Sequence, residues 1–334
     1  MNNNPKISVI LPMYNAEDHI QQAVDSILNQ TYDNFELIII NDGSTDRSLE
    51  TISQLYSNNE KVKIFDQTNH GLIYTLNKAI DIADGELIAR MDADDISFPD
   101  RFLKQVQLFQ KQPTIGICGT STQNFGFNND ISIKPESDSK LKVQLLISPP
   151  FAHPSIMVKR AILINNNIKY NEQYKHCEDY AMWTDLAKHC DFSNVADVLL
   201  KYRVHEAQVT NMHSETVMEA HYRLCCKNLR KLNIDLLKED FLSYIGHEAP
   251  KKGMQYLLNF YDTMLKNNEH MNCFNQLALQ ELIQNLLVIQ IKSFSGVKGL
   301  LFIKNYSPNL LPKIQIKLIY LAIRRDLVKT IRRK

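Results

Sequence analysis

Glu86-Leu87-Ile88-Ala89-Arg90-Met91-Asp92-Ala93-Asp94-Asp95 decides the fold of this chain. Its first half is short and apolar, which predicts a buried strand over Glu86–Met91, and its second half sets three carboxylates at the end of that strand. The same pattern recurs toward the N-terminus. Val62–Phe65, Phe35–Ile40 and Ile7–Leu11 read as three earlier strands, the first stopped by Pro12. Between them lie helical patterns. Ala16, Ile20, Ala23, Val24, Ile27 and Leu28 form a stripe that predicts a helix over 16–29; Asp46–Tyr56 is a second, capped by Ser44 or Thr45; 71–82 is a third. Apolar strands alternating with helices predict an α/β fold with a mostly parallel sheet covered on both faces. Ligands of such sheets bind beyond the carboxyl ends of the strands. Three segments become candidates together: Pro12–Asn15, Asn41–Asp46 and Asp92–Asp95.

Past residue 100 the pattern loosens. A helix is predicted over 100–111, strands over Gly116–Thr120, Ser155–Val158 and Val198–Val204, and a helix over 178–189, with a polar stretch at 121–140. After 213 the sequence is helical almost throughout. The expected division is therefore a catalytic domain over 1–212 and a mainly α-helical region over 213–334. The 334 residues are 44% hydrophobic and 22% charged, ordinary for a soluble globular protein. Net charge is +1, which argues against nucleic acid as a partner. Residues 313–334 carry eight basic residues and one acid, a net of +7, so 1–312 carry −6. No run approaches the roughly 20 apolar residues of a membrane span, and no apolar leader segment opens the chain. The six cysteines form no C-x-x-C pair and are expected to be reduced thiols of a cytoplasmic protein.

The chemistry of the candidates is specific. A nucleotide diphosphate must be neutralised before it can leave, and a hard divalent cation on one or two carboxylates does this. Asp92, Asp94 and Asp95 offer oxygen ligands suited to Mn²⁺ or Mg²⁺, although an isolated D-x-D is more often a solvated acidic turn. Asp42 ends the second strand, where its carboxylate can accept the imide N–H of a uracil or serve a turn. Asp46 is expected at the start of the following helix, where the dipole favours an acid. Tyr14, in Pro12-Met13-Tyr14-Asn15, can stack on a base.

Ile7-Ser8-Val9-Ile10-Leu11-Pro12-Met13-Tyr14-Asn15, Asn41-Asp42-Gly43-Ser44-Thr45-Asp46, Asn69-His70-Gly71-Leu72 and Ala89-Arg90-Met91-Asp92-Ala93-Asp94-Asp95 together resemble the family 2 glycosyltransferases. The resemblance continues through His153-Pro154-Ser155, Glu178-Asp179-Tyr180 and Tyr202-Arg203-Val204-His205, and so covers about residues 5–210. It implies a GT-A fold and inverting transfer from a UDP-sugar with a divalent metal. The pattern looks closest to bacterial enzymes of lipopolysaccharide, O-antigen or capsule assembly. The resemblance further implies GlcNAc, GalNAc or galactose as the sugar and a β-1,3 linkage.

Carried over residue by residue, Pro12, Tyr14 and Asp42 match uridine-binding positions. Asp92 matches a residue near ribose and metal, Asp94 the metal ligand, and Asn69 and Arg90 positions that contact the nucleotide. Glu178-Asp179 matches an acidic pair in which Asp179 is the base and Glu178 orients it or binds the acceptor. Arg203 and His205 share one face of a late strand, suited to gripping phosphate and joining the metal shell, and Glu206–Ser214 would form a lid. His153 would border the acceptor. The basic tail has Leu310, Leu311, Ile314, Leu318, Leu321 and Val328 near one helical face, which suits contact with an anionic membrane where a lipid-linked saccharide acceptor would lie. Two other classes make different demands on the sequence. A nucleotidyltransferase would carry a glycine-rich basic loop after the first strand, and Pro12–Glu17 is neither. A non-catalytic binding protein of GT-A type would have lost the acidic cluster or the Glu178-Asp179 pair, and both are present.

Overall fold

A computed structural model of the chain describes residues 4–204, 215–248, 250 and 252–293. His205, the expected lid over 206–214 and the basic tail 313–334 lie outside the described residues. The first block is β1 (Ile7–Met13), α1 (Ile20–Leu28), β2 (Phe35–Asp42), α2 (Ser48–Tyr56), β3 (Val62–Gln67), α3 (Leu72–Ile82) and β4 (Leu87–Arg90). Then come β5 (Ile96–Ser97), α4 (Arg101–Lys111), β6 (Ile115–Gly126), β7 (Ile131–Ser132), α5 (Asp138–Gln144), β8 (Met157–Lys159), α6 (Arg160–Asn165), α7 (Glu178–Leu186) and β9 (Asp191–Val204). The remaining helices are α8 (Glu215–Leu229), α9 (Phe241–Tyr244), α10 (Met254–Met271) and α11 (Gln276–Ser293).

One sheet runs in the order β3-β2-β1-β4-β8-β6-β9-β5, with β7 beside β6. The β3-β2-β1-β4 block is parallel throughout. Beyond it β8 runs antiparallel to both β4 and β6, while β9 returns parallel to β6. Met13 pairs with Asn41, so β1 and β2 finish nearly level, while β4 stops at Arg90 opposite Ile10 and the chain runs on into Asp92–Asp95 beside the end of β1. This register delivers the three candidate segments to one edge of the sheet.

Side-chain alternation explains why these strands read as unbroken apolar runs. Val9, Leu11 and Met13 point to the face that packs Ile20, Val24 and Ile27 of α1, Ile52 of α2 and Phe102 and Val106 of α4. The intervening Ile10, Ile38 and Ile40 are equally buried on the opposite face, where α3 lies. Two expectations need correction. Ser44 and Thr45 do not cap α2; they bond Asn15 instead, and Asp46 accepts from the Ser48 backbone N–H and hydroxyl at the helix start. The strands foreseen at Gly116–Thr120 and Val198–Val204 are much longer, at 12 and 14 residues.

The chain divides into two compact units, Met1–Leu224 and Cys225–Lys334. In the second, Tyr244, Tyr261, Met264 and Leu279 are buried together with α10 and α11 neighbours. The turn between those two helices is closed by Asn268, whose amide donates to the Phe274 carbonyl and accepts from its N–H. No described helix is long and apolar enough to cross a membrane. All six cysteines are free thiols.

Candidate functional site

A cleft of about 730 Å³ opens at the carboxyl edge of the parallel block. Pro12, Tyr14, Asp42, Asn69, Asp92 and Asp94 all line it. Six residues chosen from four separate sequence segments thus share one wall. Tyr14 is 52% exposed and its ring is available to a planar partner. Glu17, His19 and Thr75 also line the cleft, and no sequence motif had singled them out.

Asp42 is only 4% exposed, yet it stays anionic. Burial pushes its carboxyl up, but the His70 N–H, the Gln67 amide and the Gly71 N–H outweigh that and hold it below the usual value. Its Oδ1 accepts from His70 and Gln67 at 2.8 Å each, and its Oδ2 accepts from Gly71 at 2.8 Å. The Thr75 hydroxyl adds to these in holding the carboxyl down.

The rim is cross-tied. Asn15, in the left-handed region at φ 47°, accepts from the Thr45 N–H through Oδ1 and donates its own N–H to Ser44 Oγ. Glu17 donates its N–H to Asp46 and accepts from the Arg47 N–H. Gly43 permits this packing: its φ is +73°, and an added Cβ would lie 2.7 Å from the Asn69 nitrogen. Gly43→Ala is expected to lose roughly 1–3 kcal/mol of stability as residue 69 is displaced, which melting curves check.

Asp92, Asp94 and Asp95 offer oxygens that all lie within 4.8 Å of one another. They differ in surroundings. Asp92 is gripped by both Nη atoms of Arg90 in a two-pronged ion pair. Arg90 is 3% exposed, is not among the residues lining the cleft, and has both Nη atoms on Asp92. Asp95 is 1% exposed, and its Oδ1 accepts from the Arg203 N–H at 2.8 Å, which anchors the end of β9. Among the described residues its buried Oδ2 has no hydrogen-bond partner. An all-oxygen anionic set with one orphaned buried oxygen fits a hard divalent cation such as Mg²⁺ or Mn²⁺. The Arg203 guanidinium donates to the Asp94 carbonyl and Gln22 and lies 4.3 Å over the Phe125 ring, which clamps the acidic turn to β9.

Glu178 and Asp179 open α7, with Glu178 buried and Asp179 half-buried. Asp179 Oδ1 accepts from the Tyr180 N–H at 2.6 Å. Burial first, and the neighbouring Glu178 second, push the Asp179 carboxyl up to about 7. That is where a general base works best near neutral pH. The pair does not line the donor cleft, but it lies within electrostatic reach of its wall: Glu178 acts on Asp92, and Arg90 acts on Asp179. His153 begins a short 3-10 turn, stands edge-on to Trp183 at 5.9 Å and pairs through Nε2 with the Tyr170 hydroxyl at 2.8 Å. Burial and then Arg90 hold it well below its ordinary value, so it is neutral.

A family model described as Glycosyl transferase family 2 matches residues 8–171. An uncharacterized glycosyltransferase of Haemophilus influenzae is 30% identical over 256 residues, 71% of this chain and 78% of that protein. The O-antigen biosynthesis glycosyltransferase WbnJ of Escherichia coli is 29% identical over 249 residues, 72% of this chain and 94% of that protein. Among solved structures, S. aureus TarS 1–349 in complex with UDP-GlcNAc superposes with a TM-score of 0.56 at 19% identity, covering 94% of this chain and 89% of that one.

Proposed function

The chain belongs to glycosyltransferase family 2 and has a GT-A-like fold, and from that premise we propose that it transfers a sugar with inversion from a UDP-sugar to a saccharide acceptor. The observation that carries this is the single cleft holding Tyr14, Asp42, Asn69, Asp92 and Asp94. Tyr14 stacks on the uracil, and the Asp42 carboxylate accepts its imide N–H. Asp92 meets the ribose. Asp94 and Asp92, together with His205, would hold Mn²⁺ or Mg²⁺. When bound, that cation neutralises the charge that grows on the departing diphosphate.

Asp179 takes the proton of the acceptor hydroxyl as its oxygen attacks the anomeric carbon from the face opposite the diphosphate. The carbon–oxygen bond to the diphosphate breaks, UDP leaves with the electron pair, and Asp179 ends as the neutral acid. Glu178 beside it sustains the basicity of Asp179. Neutral His153, tied to Tyr170, borders the acceptor. The UDP-GlcNAc complex of TarS favours GlcNAc within the set GlcNAc, GalNAc and galactose. The likeness to WbnJ favours a lipopolysaccharide or other surface-polysaccharide acceptor, with β-1,3 as the linkage to test. The basic tail 313–334 would hold the enzyme against the anionic leaflet that carries a lipid-linked acceptor.

A panel of UDP-sugars, scored by UDP release with a mixed acceptor pool, tests the reading. One donor is expected to give acceptor-dependent release that EDTA abolishes and Mn²⁺ restores. Release unaffected by EDTA would overturn the metal assignment. No release with any UDP-sugar, alongside release of GDP or dTDP from another donor, would overturn the choice of uridine.

A further inference from the structure

Behind Asp42 in the cleft wall lies a polar relay that no sequence motif had marked. Parallel register sets Gln67, the last residue of β3, beside Asp42, the last residue of β2. The chain then turns into α3, which brings Thr75 and Lys78, three positions apart and so on one helical face, back to the same strand ends. Gln67 Nε2 donates to Asp42 Oδ1 at 2.8 Å and to Thr75 Oγ1 at 3.1 Å. Lys78 Nζ donates to Gln67 Oε1 at 2.8 Å. Thr75 is fully buried, and its hydroxyl bonds the Gly71 carbonyl at 3.0 Å. Asp42 and Thr75 line the cleft, whereas Gln67 and Lys78 stand behind it, half-buried.

The chemistry of these side chains fixes which way the Gln67 amide faces. An ammonium has donors only, so Lys78 must meet the amide oxygen. Both amide hydrogens are then left for Asp42 and Thr75, and every polar group of Gln67 is used. With the amide reversed, Lys78 would face an NH2 group and Asp42 a carbonyl oxygen, two repulsive contacts. His70 and Gly71 bring their backbone N–H groups to the same carboxylate. A carboxylate surrounded by donors has no hydrogen to offer a ligand; it can only accept. Uracil presents an N–H at N3, and cytosine presents a bare lone pair there. A site of this kind takes the first and, with the second, leaves two acceptors facing each other.

We propose that Gln67, held by Lys78, is the positioning residue for base selection: it fixes Asp42 as a pure acceptor, so that the cleft takes a uracil nucleotide and refuses a cytosine one. The proposal rests on the uridine reading above and adds to it two residues that do not line the cleft. Neither touches the ligand. Both act through Asp42, on the choice of nucleotide and not on the transfer itself.

The test uses the full chain and three ligands, UDP, CDP and UDP methylated at N3, titrated by calorimetry with Mn²⁺. The methyl group removes the imide hydrogen and keeps the rest of the nucleotide. The parent is expected to bind UDP at least about tenfold more tightly than either of the others. Gln67→Glu has nearly the same shape but sets a second carboxylate against Asp42, and two such groups end by sharing a proton. UDP is expected to weaken about tenfold in that variant, to the level of N3-methyl-UDP, while N3-methyl-UDP binds as it does to the parent. Lys78→Met frees the amide, and the preference for UDP over CDP is expected to fall about threefold. Lys78→Arg, which still has donors only, is expected to keep the parent preference. A parent-like preference for UDP over N3-methyl-UDP in Gln67→Glu overturns the proposal. So does equal weakening of all three ligands, which is what structural damage alone would give. If Gln67→Glu does not fold, Lys78→Met decides, and an unchanged preference there is the result against the proposal. A parent that binds UDP without telling it from CDP or N3-methyl-UDP overturns the proposal and leaves the uridine reading standing. A parent that binds no UDP defeats both.

Discussion

Asp179→Asn is expected to lower kcat roughly 100- to 10,000-fold while leaving UDP affinity unchanged. The substitution keeps the shape and still accepts from the Tyr180 N–H, so the N-terminal turn of α7 is preserved. What it removes is the only property the proposed step needs from this residue, a carboxylate able to hold a proton. The pH dependence follows from the surroundings. Burial and then Glu178 push the Asp179 carboxyl up to about 7, so kcat/KM of the parent should rise with pH and level off above that value.

Stability should move the opposite way. The unfolded carboxyl titrates near 4, so between about 4 and 7 the folded chain holds a proton that the unfolded chain has lost. Stability therefore declines as pH rises through that window. Asp179→Asn removes this penalty and should gain on the order of 1 kcal/mol at pH 8, after allowing for the solvent screening of a half-buried group, and nothing at pH 4. A variant that is inactive and yet more stable at alkaline pH is hard to produce by general damage. Parent-like turnover in Asp179→Asn would remove it from the role of base.

Much of the donor side was legible in the sequence because its physics is local. The odd-numbered and even-numbered residues of β1 are both buried, so the strand appears as an apolar run, and the first polar residue after it marks the sheet edge. The half around β6 and β9 was legible only in part, because much of its buried face is polar. Thr120, Ser121, Thr122, Ser193 and Asn194 are all buried. Several of their polar atoms are satisfied by distant chain: Ser121 accepts from the Lys134 N–H, while Ser193 and Asn194 donate to the Glu136 and Pro135 carbonyls. Hydrophobic periodicity cannot report a strand whose inward face is polar and paired. Gly119 belongs to the same packing, since a Cβ there would lie 2.5 Å from Asn194 Oδ1.

The site divides along the same line. Which carboxylates stand at the strand ends could be read from order and spacing. What each one touches could not. Asp42 is held by residues 25 to 29 positions away, and Asp95 by a backbone N–H 108 positions away. Arg90 shows the difference sharply. An arginine two residues before an aspartate on a strand shares its face, and the sequence alone leaves open whether it serves the ligand or the aspartate. The structure adds a buried guanidinium with its fork on Asp92.

Asp94→Ala is expected to abolish EDTA-sensitive turnover and to separate two quantities that most substitutions move together. The oxygens of Asp92, Asp94 and Asp95 lie within 4.8 Å of one another. Asp92 has a cation of its own in Arg90, and Asp95 gives one oxygen to the Arg203 N–H. Three carboxylates this close repel, and a divalent ion that neutralises them stabilises the fold by mass action. The parent should therefore melt at a higher temperature with Mn²⁺ than in EDTA. Asp94→Ala takes one charge out of the crowded set. In EDTA it should melt at or above the parent, and adding Mn²⁺ should leave its melting temperature where it was. Its UDP affinity in Mn²⁺ should fall to the value the parent shows in EDTA, and turnover by a factor on the order of 1,000, the several kcal/mol of charge neutralisation that a metal supplies. A Mn²⁺-dependent rise in melting temperature equal to that of the parent would show that the ion is held without Asp94. The assignment of the cluster would then pass to Asp95, whose buried second oxygen has no partner among the described residues.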